Sequence, residues 1–217
     1  MNYLFLTLLS IVCLFCFSCK ESPTDPTDKH ESAETTLAAV NEAKCVSGDC
    51  VNGTGVMLYP DGTKYSGEFK NSKKDGNGSM AWPNGKNYEA HWIADVIDGQ
   101  ANMAFPDGKK YTGAIKDGKA NGQGTMTWPD GKRYTGTVKD DKVNGQGTMI
   151  WPDGKKYTGT VINELPNGYG SMTWPAGYGK TKFTGTWRNG EMHGKGLMIY
   201  DNGSQHEGEW TDGKISG

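Results

Sequence analysis

Past Cys50 the chain has no cysteine: all five, Cys13, Cys16, Cys19, Cys45 and Cys50, fall near the start of its 217 residues. That excludes a disulfide framework through the main body. The four histidines, His30, His91, His193 and His206, are too scattered to join Cys45 and Cys50 in a zinc set. No charge of one sign dominates. The 23 Lys and Arg against 25 Asp and Glu leave a net charge of −2, which removes the electrostatic case for nucleic acid and supplies no polybasic segment for anionic lipid. The longest apolar run, Tyr3 to Phe17, is broken only by Thr7 and Ser10. It is shorter than the ~20 residues a spanning helix needs. Leu and Ile are scarce beyond that run, which argues against a helical core.

What the chain has instead is glycine, 32 residues of it, with an 11% aromatic share. Glycine and rings without aliphatic bulk point to tight turns and short strands. At the N-terminus, the apolar run followed at once by Lys20-Glu21-Ser22-Pro23 reads as an export leader over residues 1–18. Ser18-Cys19 resembles the end of a bacterial lipoprotein signal, in which a small residue precedes a cysteine that becomes the lipidated N-terminus. The resemblance implies Cys19 as the lipidation site and a membrane held through a lipid anchor at the cell envelope. An ordinary cleaved leader, leaving a secreted or periplasmic protein, is the alternative, as is an uncleaved anchor.

Residues 19–44 are rich in Ser, Thr, Glu, Asp and Pro and form the expected flexible tether, with a short helix at Ala33 to Lys44. Cys45 and Cys50 are a candidate disulfide in an oxidising compartment. They open a cap over residues 45–64 that holds a partial repeat.

From residue 65 to 217 the chain repeats. Aligned on Tyr-x-Gly, units start at Tyr65, Tyr88, Tyr111, Tyr134 and Tyr157, each 23 residues after the last. The fifth unit carries three extra residues near Tyr178-Gly179-Lys180, and further units begin at Phe183 and His206. Each half alternates as a strand does. One face of the Tyr111 unit collects Tyr111, Gly113 and Ile115, then Gly122, Gly124, Met126 and Trp128. The glycines are expected to leave room for the rings of Tyr111 and Trp128 to lie on backbone. Trp128-Pro-Asp-Gly131 is a turn signal, repeated at Pro106-Asp-Gly108 and Pro152-Asp-Gly154. The second turn, around Asp117 to Gly122, reads as longer and polar.

These residues match the pattern of the MORN repeat (membrane occupation and recognition nexus): Tyr-x-Gly, then Gly-x-Gly, then Gly after a turn. The resemblance implies an all-β protein, an elongated, twisted antiparallel meander of β-hairpin repeats in a single layer. It also implies a scaffold that dimerises or docks partners. Ala90 and Ala101 depart from the pattern by replacing two glycines of the second unit.

No enzyme is expected. No Ser-His-Asp or Cys-His set is placed by the strands, Asn121-Gly-Gln-Gly-Thr125 lacks the lysine and helix of a phosphate loop, and one Asp per turn is too few oxygens for calcium. No cofactor and no metal are implied, and no catalytic domain follows the repeats. The paired cations Lys109-Lys110, Lys132-Arg133 and Lys155-Lys156 read as a solvated edge. The sharpest candidate is a ladder of rings, Trp82, Phe105, Trp128, Trp151, Trp174 and Tyr200. A single-layer sheet covers neither face, so this row is the expected binding face. The function expected is a non-enzymatic, envelope-anchored scaffold whose partner is an envelope protein or a second copy. The alternative is a glycan- or lipid-binding module using the same face.

Overall fold

The computed structural model describes residues 42–216. The leader, Cys19 and almost all of the tether lie outside the described residues. Lys44, expected at the end of a helix, opens the first strand instead. Sixteen strands form one antiparallel sheet in which every strand pairs with its neighbours in sequence. The cap supplies β1 (Lys44–Gly48) and β2 (Thr54–Leu58). The Tyr65 unit supplies β3 (Lys64–Lys70) and β4 (Lys73–Ala81), and the Tyr88 unit β5 (Asn87–Ile93) and β6 (Val96–Ala104). The Tyr111 and Tyr134 units follow as β7 (Lys110–Lys116), β8 (Lys119–Thr127), β9 (Arg133–Lys139) and β10 (Lys142–Ile150). Next come β11 (Lys156–Ile162), β12 (Leu165–Thr173), β13 (Lys180–Arg188) and β14 (Glu191–Tyr200). The sheet ends with β15 (Gln205–Thr211) and β16 (Lys214–Ile215).

The two kinds of turn follow from composition. At Trp128-Pro-Asp-Gly131 the Gly131 N–H donates to the Trp128 carbonyl (3.0 Å), Trp128 N–H donates to Lys132 O (2.9 Å), and Gly131 has φ +89°. This is a type I turn closed by a left-handed glycine, as the sequence predicts. The Asp130 carboxylate accepts from the Lys132 N–H (2.9 Å) and locks it. The second turn is not long. Asp117 and Gly118 alone make it, both at positive φ (+50° and +69°), with Lys116 opposite Lys119. It is a two-residue type I′ hairpin, whose twist matches the strands.

The residues read as loop, Lys119 to Gly122, belong to β8. They looked irregular because each complete unit carries a wide bulge. Gly136 pairs with Gly147 and Val138 with Val143, so two steps on β9 face four on β10. Two extra residues, unlike one, preserve the alternation of faces. Val143 and Met149 therefore stay buried with Tyr134 and Val138.

The glycines opposite the tyrosines are required by packing. A Cβ on Gly124 would meet the Tyr111 ring at 2.4 Å, and one on Gly147 the Tyr134 ring at 2.5 Å. The ring lies along its own strand over a Gly–Gly cross-strand pair. Its hydroxyl then reaches carbonyls exposed by the bulge: Tyr134 Oη lies 3.1 Å from Thr137 O and 3.0 Å from Gln146 O. Tyr111 and Tyr157 make the equivalent bonds. Gly122 serves differently from expectation. It sits at the bulge with φ +121°, and a Cβ there would meet Ala114 rather than a ring.

Candidate functional site

The six predicted rings stand at equivalent places, at or just past the end of a long strand where a turn begins. Five are half-buried and Trp128 is buried, at 7% exposure. The row is not a bare aromatic face, because side chains of the same chain lie over part of it. From the turns come lysines: Lys132 Nζ lies 4.1 Å from the centre of the Trp128 ring, Lys180 Nζ 4.5 Å from Trp174, and Lys86 Nζ 5.4 Å from Trp82 and 5.6 Å from Phe105. From the opposite end of the sheet come hairpin tips. Glu164, in the type I′ turn after β11, accepts from Trp128 Nε1 (3.1 Å) and pairs with Lys109 (3.0 Å) and Lys132 (3.6 Å). Asp141, in the turn after β9, pairs with Lys86 at 2.7 Å, and Lys86 also donates to Gly118 O. These partners lie 55 residues or fewer apart and reach across more than one unit, a proximity no repeat pattern displays.

The basic ladder therefore splits. Lys109, Lys132 and Lys155 are drawn over rings, while Lys110, Arg133 and Lys156 remain exposed. Burial works to lower the pKa of Lys109, but hydrogen bonds and charge from Glu164 and Asp107 outweigh it and raise it. Lys180, without such a partner, is held below its ordinary value by burial and by Lys155.

Cys45 and Cys50 are joined by a disulfide with Cα atoms 6.0 Å apart. His91 is exposed and lies 3.6 Å from Asp98. His193 lies in β14, and His206 packs edge-on to Trp210. No set of three or more potential metal ligands converges among the described residues.

Sequence reasoning missed a second aromatic set near the hairpin tips. Trp92, Trp187 and Trp210 take the place that Val138 and Val161 fill in other units, and all three are buried. Trp187 and Trp210 donate to the carbonyls of Gly170 and Gly196. Their spacing from each unit's leading ring was the available signal.

The opposite face is polar and in register. Thr125 and Thr135 hydroxyls lie 3.1 Å apart, Thr148 and Thr158 3.2 Å, and Ser171 and Thr184 3.2 Å. Two places interrupt this pattern. Three hairpin tips carry Lys opposite Lys, at Lys70 and Lys73, Lys116 and Lys119, and Lys139 and Lys142. The tips of the Tyr88 and Tyr157 units instead carry Ile93 opposite Val96 and Ile162 opposite Leu165. All four are exposed, and beside the second pair Tyr169 is 71% exposed where Gln123 and Gln146 stand in earlier units.

A paired glycine under the rings of Tyr65, Tyr111, Tyr134, Tyr157 and Phe183, repeated with its two turn types through the sheet, has a counterpart among known families. The MORN repeat matches residues 52–64, 65–86, 88–110, 111–133, 134–156, 157–177, 183–205 and 206–217. The chain belongs to the MORN-repeat family. Membership accounts for residues 52–64 too, so the cap already contains a repeat that pairs Gly55 with Gly67. No curated protein matches the MORN-repeat chain. Among solved structures it is similar to the TCP domain of SAS-4 (dCPAP) from Drosophila melanogaster, solved with a proline-rich motif of Ana2 (dSTIL). That likeness has 13% identity over 86% of this chain and 99% of the other, with a TM-score of 0.46. The G-box domain of the microcephaly protein CPAP is similar at 16% identity over 78% of this chain and 99% of that one, with a TM-score of 0.40.

Proposed function

We propose that this MORN-repeat chain is a non-enzymatic interaction scaffold, held at the cell envelope through a lipid on Cys19, that docks an envelope protein. The observation that carries the docking is the exposure of Ile162, its partner Leu165 and Tyr169 in one hairpin, at places where the two preceding units carry lysine and glutamine. Exposed apolar groups on an otherwise polar repeat surface mark an interaction site. The ring row is the weaker docking candidate, since lysines and Glu164 already lie over part of it. The anchor is supported by the leader pattern ending at Ser18-Cys19.

The test is a crosslinking pull-down from native envelopes, using the full chain and an Ile162→Lys, Leu165→Lys, Tyr169→Gln variant. The variant restores residues that neighbouring units tolerate, so the fold is expected to survive. A protein recovered by the native chain and lost with the variant identifies the partner. Equal recovery rejects this surface. Sedimentation of both proteins over a range of concentrations tells a second copy from a different partner. Cys19→Ala is expected to release the chain into the soluble fraction; continued membrane retention would reject the lipid anchor.

A further inference from the structure

The Tyr88 unit breaks the seating rule of its neighbours. Ala90 and Ala101 stand where the other complete units have a glycine pair, and their Cβ atoms occupy the seat that the ring of Tyr111 or Tyr134 uses. Tyr88 is accordingly placed otherwise. Its ring lies between two indoles, 5.2 Å from Trp82 and 5.9 Å from Trp92. Among the described residues its hydroxyl has no hydrogen-bond partner, whereas Tyr65, Tyr111, Tyr134 and Tyr157 all donate to bulge carbonyls. Trp92 shares the disturbance: its buried Nε1 is unpartnered, while Trp187 and Trp210 each find a glycine carbonyl.

A second departure lies across from it. Lys86, Lys109, Lys132 and Lys155 each follow the glycine of their turn and lie over rings, but after Gly62 the residue is Thr63. The short side chain does not cover Tyr59 as the turn lysines cover the other rings; Lys74 approaches it instead from β4, its Nζ 5.7 Å from the ring centre and donating to the hydroxyl at 3.4 Å. Thr63 is 3% exposed, its hydroxyl has no hydrogen-bond partner among the described residues, and its backbone N–H donates to the Asp61 carboxylate (2.9 Å).

Together the two departures border a cavity of about 460 Å³ that is open to solvent, lined by Tyr59, Met80, Trp82 and Tyr88, with Asp61, Thr63 and Asp117 supplying polar groups. Its size and its apolar walls with few polar groups are those of a small-ligand site. The polar groups select the ligand. The carboxylates of Asp61 and Asp117 are offset by the ammonium groups of Lys74, which donates to the Tyr59 hydroxyl (3.4 Å), and Lys86, over the Trp82 ring (5.4 Å), so the site favours neither ion and offers both acceptors and donors, while the ring walls call for a flat apolar face. A pyranose presents both, with C–H groups on its faces and hydroxyl donors at its edge. A proline-rich segment offers flat rings but no donors beyond its few N–H groups.

We propose that the cavity walled by Tyr59, Trp82 and Tyr88 binds a short neutral saccharide. This site is independent of the exposed apolar residues on the Tyr157 unit, and either can fail without the other.

The test is a titration of the full chain with methyl β-glucoside and cellobiose, read by saturation-transfer NMR and tryptophan fluorescence. Mannitol, which has hydroxyls but no ring face, and a proline-rich peptide serve as comparisons. Saturable binding of the cyclic sugars, stronger than that of mannitol, is expected. Thr63→Lys, which restores the residue of the other turns, is expected to weaken binding about tenfold or more by filling the cavity. Trp82→Ala is expected to weaken it similarly, and Trp151→Ala, in the same row but outside the cavity, to leave it unchanged. Circular dichroism confirms that each variant is folded. Absence of saturable sugar binding overturns the proposal. So does equal binding of mannitol, equal loss in Trp151→Ala, or preference for the proline-rich peptide.

Discussion

The tyrosine that opens the Tyr65, Tyr111, Tyr134 and Tyr157 units does two jobs with one side chain. Its ring covers a glycine pair, and its hydroxyl satisfies carbonyls that the bulge has taken from the ladder. Tyr134→Phe keeps the first job and abolishes the second. It is expected to cost about 1–2 kcal/mol in urea unfolding, since a buried carbonyl loses its donor. Tyr88→Phe removes a hydroxyl with no partner and is expected to change stability by less than about 0.5 kcal/mol. Gly147→Ala would place a Cβ against the Tyr134 ring and is expected to cost about 1–3 kcal/mol. Burial also pushes the Tyr65, Tyr88 and Tyr157 phenols up to about 12. An unfolded tyrosine ionises near an ordinary value of about 10. Burial favours the neutral form, so this contribution is fully present below pH 10 and is lost as pH rises through about 12. Midpoint denaturant concentrations measured across that window are expected to fall with increasing pH.

At the scale of the element, the hairpin is asymmetric. One end uses a type I turn whose proline and glycine are legible in sequence, and the other a type I′ turn with both central residues at positive φ. Asn, Asp and Gly fill most of these places, for which their backbones are suited. Ala94, at φ +49°, is less suited to its place. Ala94→Asn is expected to raise stability by about 0.5–1 kcal/mol, read from the thermal midpoint. The wide bulge beside this turn was hidden in the sequence. Lys119-Ala-Asn-Gly122 looks like loop because Asn and Gly suit irregular backbone. Only pairing with β7 shows that the strand continues through them.

For the whole array, contacts between units that are not adjacent distinguish this sheet from a row of independent hairpins. In a simple repeat array, stability is a sum over units and their immediate interfaces. Here Asp141 and Glu164 join hairpin tips to turns of earlier units through Lys86, Lys109 and Trp128. Glu164→Ala combined with Asp141→Ala is expected to cost about 1–3 kcal/mol, and to broaden the denaturation transition as units uncouple. Tryptophan emission would shift to the red as Trp128 becomes wetter. A sharp transition with unchanged emission would mean that the tips lie over the rings without coupling them.

The sequence by itself determined the all-β class, the repeat, the proline turns and the seating of Tyr111 over Gly113 and Gly124. These are set by neighbours along one strand or across one hairpin, and a repeating local interaction leaves a repeating pattern. Tertiary structure alone decided what covers the rings and where a cavity is left. Trp128 and Glu164 stand 36 residues apart. They meet only because the sheet carries hairpin tips across the turns of earlier units. The consequence of Ala90, Ala101 and Thr63 was equally invisible, since each is a small change in composition. Their joint effect appears only when Tyr88 and Tyr59 are seen on the two sides of the same unfilled space.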